Sequence, residues 1–220
     1  MKVIIIDLDD TLFCEQSYVM SGFRAVAESI AERNGVSADD VFNQTIYQFS
    51  RYGRTGAFNR TLSYFGFNKP EIGDLVRIYR EHSPDIQLYW KAAEGLELLR
   101  KKFKLVIVTD GLASVQRKKI EALDLESMVD KVVYCMDYNA PKPSPTSYRA
   151  LANDMNIDLQ DAVIVGDDPY CDMQAAAQLQ IPSYRILGGK YMRVKSLENA
   201  KPEVEFGSFC TAASYLSEKL

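Results

Sequence analysis

Val3-Ile4-Ile5-Ile6-Asp7-Leu8-Asp9-Asp10-Thr11-Leu12 is the stretch that decides the fold. Its opening apolar residues do not alternate with polar ones, so they read as a strand buried on both faces, as in a parallel sheet. The run ends at an aspartate after Ile6, which is too soon for a signal-peptide core or a membrane span. In a parallel α/β sheet the carboxyl ends of the strands form the ligand crevice. Here that end carries Asp7, Asp9 and Asp10. Asp7 and Asp9 can converge on one site only if the chain coils directly after the strand. The plainer alternative is an Asp-rich turn or a helix N-cap.

The pattern recurs at Val163-Ile164-Val165-Gly166-Asp167-Asp168-Pro169-Tyr170-Cys171-Asp172. Two such strand ends side by side would crowd several carboxylates. Like charges about 4 Å apart repel by roughly 4 kcal/mol at an effective dielectric near 20. Such a cluster needs a cation, and hard oxygen ligands point to Mg2+. Between them, Val108-Thr109-Asp110-Gly111 offers a hydroxyl and flexible backbone N–H groups. Pro141-Lys142-Pro143-Ser144-Pro145 holds a lysine in a stiff proline frame. Each fragment is weak singly. Four in this order, each at or soon after a strand end, make a strong combined signal.

Further apolar runs at Leu105–Val108, Val132–Cys135 and Tyr184–Leu187 complete a set of five strands. Helical patterns lie between them at Ala92–Lys102, Leu112–Leu123, Ser144–Met155 (Ser144 as N-cap) and Gln174–Gln180. This alternation predicts an α/β fold: a doubly wound, Rossmann-like parallel sheet of about five strands. Nearly a hundred residues separate the first two strands, and Cys14–Tyr89 contains no convincing strand. Phe23–Arg33, Ala38–Ser50 and Glu71–His82 read as helices. The expected organisation is a core of residues 1–13 and 90–220 around an inserted helical cap domain, 14–89.

Composition narrows the chemistry. The 220 residues are 47% hydrophobic and 25% charged, enough to bury a core, and the net charge is −4. That balance argues against a nucleic-acid polymer or an anionic membrane as partner. His82 is the single histidine, so histidine-base and multi-histidine metal mechanisms are nearly excluded. Cys14, Cys135, Cys171 and Cys210 are widely spaced and fit free thiols better than a disulfide framework or a zinc site. A soluble, cytoplasmic protein is expected, as monomer or homodimer.

The order DxDxT, Thr, Lys, GDxxxxD from Asp7 to Asp172 resembles the haloacid dehalogenase-like hydrolase superfamily. The helical insertion after the first motif stands where a C1-type cap is found in that family. The resemblance implies that the first and fourth strands are neighbours, with Asp7 facing Asp167. It implies Asp7 as nucleophile forming an aspartyl-phosphate, and Asp9 as acid toward the leaving alcohol and then base toward water. Mg2+ would be held by the Asp7 carboxylate, the Asp9 carbonyl and Asp167. Thr109 and the backbone near Asp110 and Gly111 would bind phosphoryl oxygens, and Lys142 would neutralise charge. Asp172, with Asp168 as a competitor, would support Lys142 or metal-bound water.

Within the superfamily, 2-haloacid dehalogenases usually lack an acid at the position of Asp9, because halide needs no proton. Asp9 therefore favours phosphoryl transfer. Phosphonatases use a cap lysine, and the inserted segment holds only Lys69, beside Pro70. The expected function is a Mg2+-dependent phosphatase of a small phosphorylated metabolite, of the nucleotide or sugar phosphate class. The alternatives are a phosphomutase or a non-catalytic binding protein on the same scaffold. No Asp or Glu occurs from Val41 to Pro70, where Arg51, Arg54, Arg60 and Lys69 interleave with aromatics. This stretch reads either as a surface gripping a second anionic group of the substrate or as a solvated basic face over packed aromatics.

Overall fold

The computed structural model describes residues 2–67 and 72–220, so Lys69 and Glu71 fall outside it. The chain divides into two compact units, Met1–Glu15 with Ile86–Leu220, and Gln16–Asp85.

The larger unit is built on a parallel sheet of β1 (Val3–Ile6), β2 (Lys104–Thr109), β3 (Lys131–Tyr134), β4 (Ala162–Gly166), β5 (Ser183–Ile186) and β6 (Val204–Phe206). The strand order is β3-β2-β1-β4-β5-β6, all neighbours parallel. The sheet thus has six strands rather than about five. The extra one, β6, escapes a search for buried apolar runs because it is a three-residue edge strand with an exposed glutamate at its centre.

Both faces of the central strands are covered. Val3, Ile5, Val106, Val108 and Ile164 pack with Tyr148 and Leu151 of α7 (Thr146–Met155) and with Ala175, Ala176 and Leu179 of α8 (Asp172–Leu179). The intervening Ile4, Ile6, Leu105 and Ile107 are equally buried. Two further helices, α5 (Ala92–Arg100) and α9 (Phe209–Lys219), pack on each other, with Gly95 against Ala213 and Phe209. Helix α7 begins at Thr146, two residues later than Ser144. A residue before proline is disfavoured in the helical region, and Pro145 takes the cap position instead.

The smaller unit is helical: α1 (Glu15–Asn34), α2 (Ala38–Tyr52), α3 (Ala57–Phe65) and α4 (Ile72–Glu81). Val26, Ile30, Val41, Leu62 and Leu75 form its core. Phe23 meets the rings of Phe49, Phe58 and Tyr79 at centroid distances of 5.3–5.8 Å, so these aromatics pack the unit. Helix α3 is hidden in the sequence by Gly53 and Gly56. Both have positive φ (77° and 72°) and break the chain between α2 and α3, but helix resumes at once. Arg60 closes this break: its guanidinium donates to the carbonyls of Thr55 (2.8 Å), Gly53 (3.0 Å) and Gln48 (3.4 Å). Among the described residues no helix is long and apolar enough to cross a membrane.

Arg185 of β5 is fully buried. It donates to the carbonyls of Asp167 (3.0 Å), Tyr191 (2.8 Å) and Val194 (2.8 Å), and it meets Ser196 and Glu205. One side chain therefore ties the end of β4 to the loop after β5. Arg185→Met would leave the buried Asp167 carbonyl without its donor and strip the part-buried carbonyls of Tyr191 and Val194 of theirs, so a loss of about 3 kcal/mol in unfolding free energy is expected. Urea denaturation of the two proteins measures it.

Candidate active site

The carboxyl ends of β1, β2 and β4 are neighbours in the sheet, and the pocket above them is lined by Asp7, Asp9, Asp110, Gly111, Lys142, Asp167 and Asp172, among others. Asp7 stays in the sheet ladder, its N–H donating to Val165 O (2.8 Å). The chain then coils at once. Leu12 N donates to Leu8 O (3.0 Å), Asp10 takes φ 57°, and the Thr11 hydroxyl returns to Asp7 Oδ2 (3.2 Å).

Lys142 is the hub. Its buried ammonium lies 2.5 Å from Asp7 Oδ1 and 2.7 Å from Asp172 Oδ1. Asp172 reaches this place because position 166 is glycine; any Cβ there would overlap the Asp172 carboxylate. Asp168 does different work, capping the N–H groups of Tyr170 (2.8 Å) and Cys171 (3.2 Å). Of the two expected competitors, Asp172 is thus the one that touches Lys142.

Thr109 ends β2 and is buried. Gly111 lines the pocket with φ 101°. The Asp110 carboxylate accepts from the backbone N–H of Lys142 (2.9 Å), so it anchors the lysine loop. Asp9 lines the same pocket with partners of its own: its oxygens meet Lys119 Nζ (2.6 Å) and Gln116 Nε2 (2.8 Å) of α6 (Ala113–Ala122). Neither Gln116 nor Lys119 stood out in the sequence, where they look like part of a polar helix face. The signal available was their spacing of one helical turn just after the Thr109 motif.

Arg51 and Arg54 are exposed in the helical unit. Arg60, expected with them to contact substrate, donates from Nη1 and Nη2 to carbonyls of the loop between α2 and α3. His82 belongs to the helical unit too, where a ring nitrogen sits 2.7 Å from Tyr79 O.

One oxygen from each of Asp7, Asp167 and Asp172 lies within 4.8 Å of the others, and all three residues are buried. Lys142 supplies one positive charge against three. Burial and the neighbouring carboxylates push Asp7 up to about 8 and Asp167 up to about 9. Asp172 is raised by burial in spite of Lys142. Burial opposes the charge of Lys142, but Asp172 and Asp7 outweigh it and hold the ammonium well above the ordinary lysine range. Asp167 Oδ2 is buried with no hydrogen-bond partner among the described residues. An excess of buried carboxylate with an orphaned oxygen fits a hard divalent cation, with Asp7 and Asp167 as the carboxylates to hold it.

The family model for haloacid dehalogenase-like hydrolases matches residues 4–186. A glyceraldehyde 3-phosphate phosphatase of Methanocaldococcus jannaschii is 28% identical, with 87% of each chain covered. A phosphoserine phosphatase of Thermus thermophilus is 23% identical over 80% of this chain and 84% of its own. A hydrolase from Bacillus subtilis solved with bound magnesium shares the fold, with TM-score 0.73 at 18% identity and 98% of each chain covered.

The raised carboxylates set a pH dependence. Without a divalent ion, the folded protein binds more protons than the unfolded chain between the ordinary aspartate value of 3.8 and about 8 to 9. Stability contributed by these groups is therefore present below that window and falls as pH rises through it. A cation competes with those protons, so the gain in Tm on adding excess MgCl2 is expected to be small near pH 5.5 and to grow toward pH 8.5. Thermal melts with and without the salt across this range measure it; a gain that shrinks with rising pH would contradict the assignment.

Proposed function

The chain belongs to the haloacid dehalogenase-like hydrolase family, and on that footing we propose that it is a Mg2+-dependent phosphatase of a small phosphorylated metabolite, acting through an aspartyl-phosphate on Asp7. The observation that carries this reading is Asp7 itself: a buried residue in the sheet ladder whose carboxylate is fixed by Thr11 and Lys142 and lines the pocket. The ion, when bound by Asp7 and Asp167, supplies positive charge that lets an anionic nucleophile meet an anionic phosphate.

Asp7 Oδ attacks phosphorus as the bond from phosphorus to the leaving oxygen breaks. Asp9 gives its proton to that oxygen, and the alcohol departs. Water then attacks the aspartyl-phosphate, passes its proton to Asp9, and the bond between Asp7 and phosphorus breaks. Inorganic phosphate leaves, and both aspartates return to their starting forms. Lys142 holds Asp7 in place and takes up charge during both steps, while Thr109 and the backbone at Gly111 receive phosphoryl oxygens. The relatives named phosphatases of glyceraldehyde 3-phosphate and phosphoserine support the reaction class and favour a compact phosphorylated substrate. Within the sugar phosphate and nucleotide classes first expected, this puts small sugar phosphates foremost. Arg51 and Arg54, exposed cations of the helical unit, are the proposed contacts for a second anionic group.

The test is phosphate release, with Mg2+, from a panel holding triose, pentose and hexose phosphates, phosphoserine and nucleoside monophosphates. Asp7→Asn is expected to lose at least about 10³-fold in kcat, and chelation of divalent ions to abolish turnover. Equal release by the wild type and Asp7→Asn would rule out the nucleophile. Isomerisation of a sugar phosphate without release would assign a mutase instead. Arg51→Ala or Arg54→Ala is expected to raise KM about tenfold or more for the preferred substrate; an unchanged KM and substrate ranking would remove these arginines from recognition.

A further inference from the structure

Helix α6 carries three consecutive cations, Arg117, Lys118 and Lys119, and of these only Lys119 is buried. Taking an ammonium out of water is costly, and it persists where a partner fixes it. That partner is Asp9, 2.6 Å from Lys119 Nζ. One turn earlier, Gln116 is buried too, and its Nε2 lies 2.8 Å from the other Asp9 oxygen and 2.7 Å from Thr109 Oγ1, and against Asp110 O. Both oxygens of Asp9 are therefore held from one helix face, which also grips the end of β2.

We propose that Lys119 and Gln116 are positioning residues for proton transfer by Asp9. This rests on the reading of Asp9 as acid and base given above. As the bond from phosphorus to the leaving oxygen breaks and that from Asp7 Oδ to phosphorus forms, the Asp9 proton moves to the departing oxygen. The electron pair of the O–H bond stays on Asp9. The contacts with Lys119 and Gln116 are those of the Asp9 carboxylate, the form left once its proton has gone to the departing oxygen. They stabilise the product of that transfer without rearrangement of solvent and hold the carboxylate where it next takes the water proton. In the second step the water proton returns to the same carboxylate. Gln116 couples the acid to Thr109, so the two motifs are aligned by one side chain.

The distinguishing readout is leaving-group dependence. Phenolate needs a proton as it departs and dinitrophenolate does not. Lys119→Met is expected to lower kcat/KM for phenyl phosphate about 100-fold while costing less than about threefold on a dinitrophenyl phosphate. Lys119→Arg should recover most of the loss, and Gln116→Leu should show the same selectivity more weakly. The ratio between two esters, taken on one preparation, does not depend on the folded fraction, and Gln116→Leu decides the matter if Lys119→Met does not fold. Equal losses on both esters, or no loss on phenyl phosphate, would overturn the proposal. Asp9→Asn is the control. If it loses equally on both esters, Asp9 is not the acid and this proposal falls with it. If the wild type releases phosphate from neither ester nor any metabolite, the phosphatase reading fails first.

Discussion

Three buried carboxylates share a single ammonium at the end of the sheet, and much else in the larger unit follows from accommodating them. Asp7, Asp167 and Asp172 come within 4.8 Å of one another around Lys142. Pairs of charges at that distance repel by about 3 kcal/mol at an effective dielectric near 20. Such a cluster is tolerated only where the framework holds it rigidly and a cation completes it. The framework is visible: a glycine at 166 that makes room for Asp172, an Asp110 carboxylate anchoring the Lys142 backbone, and Arg185 pinning the Asp167 carbonyl from beneath.

Acidic residues at these strand ends divide into two kinds. Asp10, Asp110 and Asp168 spend their carboxylates on backbone N–H groups of Glu15, Lys142 and Tyr170. They build the loops. Asp7, Asp9 and Asp167 keep oxygens directed at side-chain cations or, among the described residues, at no hydrogen-bond partner, and these are the ones to which the proposed chemistry is assigned. The overall charge of −4 hides this division, because the two kinds of carboxylate lie side by side in the sequence.

The central sheet was legible because strands buried on both faces carry uninterrupted β-branched runs, and the catalytic candidates stand at the ends of those runs. Legibility failed where structure is made by tertiary partners rather than local pattern. β6 is an edge strand of three residues, α3 is masked by two flanking glycines, and α9 gave no recognised signal. Arg60 shows what charge and aromatic neighbours leave open: the pattern fits a ligand contact or a solvated basic face, and only the tertiary structure shows its Nη atoms bonded to loop carbonyls of its own unit. Gln116 and Lys119, which touch Asp9, carried no local signal of that contact. Their partners lie 107 and 110 residues away, so no local pattern could have paired them.

The separation of Asp7 from Asp9 shows why one coil of chain can hold two carboxylates with different duties. Placed two residues apart on an extended strand, both would face the same side and meet the same cations. The coil after Ile6 sends Asp7 toward Lys142 and Asp9 toward α6, so each acid has its own counter-charge. A nucleophile must stay ionised and fixed, whereas an acid and base must exchange a proton in each half of the reaction. In the proposed reaction, separate lysines allow the two demands to be met independently within one short motif, and without a histidine, since aspartate and lysine together would supply the nucleophile, the proton carrier and the compensating charge.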